Sequence, residues 1–195
     1  MSKNKIILAS SSPRRRAVLE KMELDFEIVT SNYDEYLEND LFTYEKIEML
    51  AYNKAKSVLN IIEPVTAGYP LILSADTVVV LNNKILGKPQ DETEAIEMLS
   101  KLSNKKHFVV TSVCVINSRN LQKKLLSETS YVEFERLGED TIKDYVKKYK
   151  PMDKAGAYGI QELPKGFVKE VTGSFENIVG LCPIAVRKAL NEFTF

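Results

Sequence analysis

The fold class turns on KIILASSSPRRRAVLEKM, residues 5–22. Lys5 to Ala9 is a short apolar run that reads as a buried strand, and Ser10-Ser11-Ser12-Pro13 reads as a loop feeding a helix from about Arg14 to Met22. Ser12 fits the N-cap, because its hydroxyl can accept from an orphan N–H of the first turn. Pro13 fits the first helical position, where its missing N–H removes no bond. A strand that passes through a small-residue loop into a helix is the opening unit of an α/β protein.

The same stretch carries a chemical anomaly. Arg14, Arg15 and Arg16 fill the opening turn, where positive charge opposes the helix dipole at about 0.3–1 kcal/mol per group. Arg15 falls in register with Val18, Leu19 and Met22, the inward face, so at least one guanidinium points away from open solvent. Two readings stay open. One is a solvated basic turn; the other is an anion site in which backbone N–H groups at the helix start are joined by arginine clamps.

Outward from this unit, Phe26 to Val29 reads as a second strand. A long helix from about Thr43 to Ile62 carries Ile47, Leu50, Ala51, Ala55, Val58, Leu59 and Ile62 on one face, and Pro64 closes it. Leu71–Leu73 and Val78–Leu81 are strand-like, with Asn82-Asn83 turning into Ile85-Leu86. Asp91 caps the next helix with Glu94 following, and Ala95, Met98, Leu99 and Leu102 form its buried side. His107 to Asn117 and Lys124 to Glu135 read as two long antiparallel strands. Asp140 to Tyr149 reads as a helix that ends before Pro151, and Pro183 to Phe195 as a final helix. Hairpins mixed with helical crossovers imply an α/β fold with a mixed sheet, and 1–195 is expected to form a single domain with a cleft.

Composition excludes more than it identifies. The 195 residues are 44% apolar and 28% charged, with 27 basic and 27 acidic side chains, so no global positive field exists to hold nucleic acid or an anionic membrane. No nucleic-acid or membrane partner is expected. The apolar run Ile6 to Ala9 is too short for a signal-peptide core, which predicts a cytoplasmic protein. Cys114 and Cys182 lack zinc-site spacing, and the one histidine, His107, cannot complete such a site. Cys114 reads as a small buried hydrophobe, and His107 as a surface or hydrogen-bonded side chain. No Gly-x-Ser-x-Gly elbow, GxxxxGK[ST] loop or HExxH helix occurs.

Two further residues break their local pattern. Lys54 lies inside the apolar stripe of the long helix, where a lysine either snorkels outward or meets an anion. Asp76 separates two strand-like runs, and a carboxylate there is costly to bury unpaired. It is either a turn aspartate at a strand junction or a strand-end group that holds a metal or orients water.

LASSSPRRRAVLEKM, AYNKAKSV, SADTVVVLNNKILGKPQDETEAIEMLSKLSNKKHFVVTSV, DKAGAYGIQ and GSFENIVGL, in this order across nearly the whole chain, resemble the Maf family of nucleotide pyrophosphatases. The resemblance implies a mixed β-sheet with flanking helices and two lobes around a central cleft, like that of inosine triphosphatases, and frequently a homodimer. It places the proton acceptor on Asp76 and phosphate-binding residues on Ser10, Arg14, Arg15, Lys54 and Lys88. Glu35 resembles the acidic residue that follows the second strand, which makes Glu35 and Asp76 the candidate metal ligands. The branch acting on dTTP and UTP has the residue types found here at Arg14, Thr77 and Gln161. Departures occur at Asn104 and Ser112, which stand where glycines are usual, at Lys150 in place of glutamate, and at Glu162 in place of glycine.

The implied activity is hydrolysis of dTTP and UTP to the monophosphate and pyrophosphate, aided by a divalent cation, Mg2+ or Mn2+. Two other readings belong beside it. One is a nucleotide-sensing regulator of cell division with little turnover, and the other is a house-cleaning pyrophosphatase for modified nucleotides.

Overall fold

A computed structural model describes residues 5–34, 40–62 and 69–193. In chain order the elements are β1 (Ile6–Leu8), α1 (Pro13–Lys21), β2 (Phe26–Ile28), α2 (Tyr44–Leu59), β3 (Leu71–Leu81), β4 (Lys84–Leu86), α3 (Glu92–Leu102), β5 (Lys106–Asn117), β6 (Lys123–Phe134), α4 (Glu139–Tyr149), β7 (Val168–Thr172), α5 (Phe175–Val179) and α6 (Pro183–Asn191). Single 3-10 turns span Pro151–Asp153 and Ala155–Ala157. None of the described helices is long and apolar enough to cross a membrane.

The strands form one mixed sheet of seven in the order β2-β1-β3-β5-β6-β7, with β4 also paired to β3. β1 runs parallel to both β2 and β3, and the other pairings are antiparallel. The helices after β1 and β2 cover opposite faces. α1 and α6 bury Ile6, Leu8, Leu71 and Leu73 on one face, whereas α2 buries Ile7, Ile72 and Cys114 on the other. β1 is therefore the point at which the chain's winding reverses, and ligands of α/β sheets bind outside the carboxyl ends of strands at such a point.

β3 frames that opening. Its pairing with β1 ends at Leu73, and its pairing with β4 begins at Val79 on the same edge. Ser74 to Val78 therefore border a gap in the sheet, while their other edge stays fully paired to β5. The sequence reading splits β3 in two and puts Asp76 at a strand end; the structure corrects this to one unbroken strand. Continuity is possible because the polar residues on its α2 side have partners: Ser74 donates to the Ala51 carbonyl and Asp76 meets Lys54.

Other local rules hold. Ser12 accepts from Arg15 N, Thr43 caps α2, and Asp91 accepts from Glu94 N at 2.8 Å. Asn82 and Asn83 take φ of 51° and 62°, the left-handed pair that a tight hairpin requires. Asn104 has φ 55°, in the left-handed region that glycine enters freely and that asparagine tolerates better than most side chains. α6 stops at Asn191, short of the expected Phe195; Thr194 and Phe195 lie outside the described residues, as does Pro64. The short edge strand β7 and the five-residue α5 are not anticipated from the sequence. Each is too brief to develop a legible period.

Beyond the gap, α3 and α4 pack over Val79, Val109, Val132 and Phe134. His107 is buried among them, 2% exposed, with Nε2 2.8 Å from the Tyr158 hydroxyl and its ring edge-on to Phe134 at 5.0 Å. Burial pushes its pKa down to about 4, opposed by a weaker backbone hydrogen bond at Lys105. Cys114 is buried as expected, its thiol pushed up to about 12 by the same cause.

The His107 shift has a defined sign. The unfolded chain takes up the proton first as pH falls below 6.5, so the stabilisation is complete above that value and is lost as pH approaches 4. Wild-type protein is expected to lose roughly 3 kcal/mol relative to His107→Gln across this window. Urea denaturation of both proteins at pH 7 and pH 4 measures the difference, and parallel pH profiles would exclude the effect.

Candidate active site

Asp76 and Lys54 form the floor of the cleft. Asp76 lies on the α2 side of β3, and Lys54 projects from the apolar stripe of α2 made by Ile47, Leu50, Ala51, Ala55 and Val58. Their side chains are 6% and 9% exposed, and Lys54 Nζ donates to Asp76 Oδ1. The two sequence anomalies thus answer each other: the lysine does not snorkel, and the aspartate is not a turn residue. A buried carboxylate needs a partner charge, and here α2 supplies it.

The basic turn of α1 resolves residue by residue. Arg16 faces solvent and pairs with Glu20 one turn on, at 2.7 Å. Arg15 turns inward, and all of its guanidinium nitrogens are engaged: Nε donates to the Gly180 carbonyl at 3.0 Å, Nη1 to Ser10 Oγ at 3.2 Å, and Nη2 to Thr77 Oγ1 at 3.4 Å. Arg14 reaches Asp153 Oδ2 at 3.0 Å. A guanidinium held on every nitrogen presents a fixed charge to an incoming anion with little ordering cost.

These side chains surround two adjoining basins. A basin of about 320 Å³ is lined by Ser10, Ser12, Arg14, Arg15, Lys54, Asp76, Thr77 and Lys88, which places it within the size class of small-ligand pockets. The second is lined by Thr77, Lys154, Tyr158, Gln161, Glu162 and Gly180, and shares Arg14, Arg15, Thr77 and Lys88 with the first. The five phosphate-binding candidates therefore converge on one basin, and the three specificity candidates, Arg14, Thr77 and Gln161, line the other. Glu35, the remaining metal candidate, lies outside the described residues. Among the described residues no cluster of three or more His, Cys, Asp or Glu side chains could hold a metal by itself.

Several cleft residues are not singled out by sequence reasoning. Lys154 is 8% exposed, with Nζ 2.8 Å from Asp153 Oδ1 and 3.2 Å from Glu162 Oε2, the latter an ion pair without hydrogen-bond alignment. Partial burial works against the charge on Asp153, but hydrogen bonds from Lys154 and Arg14 outweigh it and hold its carboxyl below the ordinary value. Asp153 thereby ties Arg14 to the loop that ends in Gln161. Gly156 makes that loop possible: φ is 66°, and a Cβ there would lie 2.9 Å from Val79 Cγ2. Asp153, Lys154 and Gly156 all sit within DKAGAYGIQ, yet nothing in their spacing marks them, because their partners are distant in sequence.

A family model described as "Maf-like protein" matches residues 5–193. Curated relatives named "dTTP/UTP pyrophosphatase" include one from Ruminiclostridium cellulolyticum, 42% identical over 90% of this chain and 89% of the relative. Another, from Pelotomaculum thermopropionicum, is 40% identical over 97% of both chains. A third, from Bacteroides thetaiotaomicron, is 42% identical over 93% of this chain and 92% of its own. Among solved structures, that of the Staphylococcus aureus Ham1 protein aligns with a TM-score of 0.48 and 15% identity, covering 97% of this chain and 96% of that one.

The Lys54–Asp76 pair carries a stability prediction. Lys54→Met leaves a buried carboxylate without its cation, and such changes cost about 3–5 kcal/mol. The double variant Lys54→Met with Asp76→Asn is expected to be destabilised by clearly less than the sum of the single variants. Urea denaturation of the four proteins in a double-mutant cycle measures this coupling; additive effects would mean that the pair contributes nothing to the fold.

Proposed function

This chain belongs to the Maf-like protein family, and on that footing we propose that it hydrolyses dTTP and UTP to the nucleoside monophosphate and pyrophosphate. The observation that carries the proposal is the convergence of Arg14, Arg15, Lys54 and Lys88 on one basin whose floor is Asp76. A nucleoside triphosphate brings about four negative charges, and a basin with this many fixed cations stabilises both the bound anion and the charge that develops on transfer.

Each residue then has a task. Arg15, immobilised by Gly180, Ser10 and Thr77, holds the triphosphate against the start of α1, with Arg14 and Lys88 on its flanks. Asp76 receives a proton from the attacking water, whose oxygen bonds to phosphorus as the anhydride linkage between the α and β phosphorus atoms breaks. Lys54 fixes the Asp76 carboxylate in place, so proton acceptance requires no reorganisation of the floor. Such in-line displacement needs positioning and electrostatics more than a covalent nucleophile, in keeping with a cleft lined by cations and hydroxyls.

The donor chemistry fits a divalent cation. Magnesium and manganese take hard oxygen ligands, commonly one or two carboxylates together with substrate phosphates, and Asp76 offers such an oxygen at the basin floor. Asp76 would hold the ion, with Glu35 as the second candidate ligand. When bound, the ion neutralises phosphate charge and polarises a phosphoryl oxygen.

Gln161 reads the base. Its amide presents a donor and an acceptor on one plane, which matches the ring N–H and adjacent carbonyl of uracil and thymine.

Asp76→Asn is expected to remain folded, though destabilised by the loss of the charge opposite Lys54, and to lower kcat for UTP by about 10²–10⁴, the range for a positioned general base. Pyrophosphate release with added magnesium measures it, and near-normal turnover by the folded variant would remove Asp76 from the mechanism. Gln161→Glu, which leaves only acceptors, is expected to reduce kcat/KM for UTP and dTTP more than for GTP, because a mismatched hydrogen-bonding site discriminates strongly. An equal fall for all three nucleotides would mean that Gln161 shapes the cleft without reading the base.

A further inference from the structure

Behind Thr77, on the neighbouring strand β5, lies a second threonine. Thr111 sits directly across from Thr77 in the β3–β5 register and is 0% exposed. Its Oγ1 donates to the Asn177 carbonyl at 2.8 Å and lies 3.0 Å from Thr77 Oγ1. Asn177 is itself immovable: it is fully buried, and its Nδ2 donates to the Val109 carbonyl and to Ser130 Oγ, both at 3.1 Å.

A hydroxyl has one proton and two lone pairs. A carbonyl can only accept, so the Thr111 proton is committed to Asn177, and Thr111 can only accept from Thr77. The other neighbour able to take the Thr77 proton is the Gly180 carbonyl, at 3.3 Å and already engaged by Arg15 Nε. Thr111, at 3.0 Å, is the nearer acceptor; without it the more distant and already engaged Gly180 carbonyl competes with the nucleotide for the Thr77 proton. One lone pair of Thr77 Oγ1 receives Arg15 Nη2 at 3.4 Å, and the hydroxyl meets the cleft as an acceptor.

We propose that Thr111 is a positioning residue for substrate selection: by accepting the Thr77 proton it fixes Thr77 as a hydrogen-bond acceptor toward the nucleotide. An acceptor in the basin shared with Gln161 favours a pyrimidine whose ring N3 carries a proton, as in uracil and thymine, over cytosine, whose N3 is itself an acceptor. This inference rests on the proposed nucleotide specificity. It also supplies what Gln161 cannot, since an amide can flip to suit either ring.

Binding of the uncleavable α,β-imido analogues of UTP and CTP, measured with magnesium present, tests the inference without turnover. Thr111→Val keeps the shape of the side chain and removes the acceptor, and is expected to lower the preference for the uridine analogue roughly three- to tenfold, the worth of one neutral hydrogen bond. Thr111→Ser is expected to restore the wild-type ratio. Thr77→Val is expected to lower the ratio alone, with Thr111→Val adding nothing to it; this arm holds even if Thr111→Val fails to fold. An unchanged ratio in either folded valine variant, or equal weakening for both analogues, would overturn the inference, as would failure of the wild type to prefer the uridine analogue. A wild type that keeps the preference but releases no pyrophosphate from UTP would overturn the hydrolytic reading and leave this one standing.

Discussion

The ion pair between Lys54 and Asp76 is the constraint on which the rest of the site depends. A carboxylate in the middle of a buried strand is tolerated only with a cation against it, and the cation comes from a helix that is otherwise apolar on that face. The pairing fixes the height of α2 along β3 to within a side chain's reach. It also explains why β3 continues through Asp76 where sequence periodicity reads a break.

A second constraint follows from the topology. The winding of the chain reverses at β1, and β3 is left without a partner between Leu73 and Val79 on that edge. Consecutive residues of a strand point to opposite faces, so at this gap Asp76 addresses the α2 side and Thr77 the side of α1 and α5. One strand thereby supplies both the carboxylate floor of one basin and a wall of the adjoining one. Arg15 spans the two, tying the loop after β1 to Gly180 near the end of the chain, 165 positions away.

The hydroxyl and carbonyl groups around Arg15 form a continuous set of hydrogen bonds rather than isolated contacts. Ser10, Thr77, Thr111, Asn177 and Gly180 each donate to or accept from another member of the set or Arg15 itself. Such a set polarises and orients its members cooperatively. Gly173, with φ 104° and room for no Cβ (one would lie 2.8 Å from Ser130 Oγ), lets the turn into α5, the helix that bears Asn177, lie this close to β6.

Helix starts, the asparagine hairpin, the antiparallel pair β5 and β6, and the burial of Cys114 were legible in the amino-acid order, because each follows from periodicity or from side-chain chemistry acting over a few residues. The order also exposed Arg15, Lys54 and Asp76 as misfits, since each opposes its local preference. Their partners could not be read there. Whether Lys54 snorkels or pairs, whether Asp76 ends a strand or floors a cleft, and which of three adjacent arginines turns inward all depend on groups brought together across 22 to 165 positions. The roles of Thr111, Asp153 and Lys154 were invisible for the same reason. Local propensity acts between near neighbours along the chain, whereas the desolvation that makes a buried charge or hydroxyl demand a partner exists only once the sheet and its helices have closed around it.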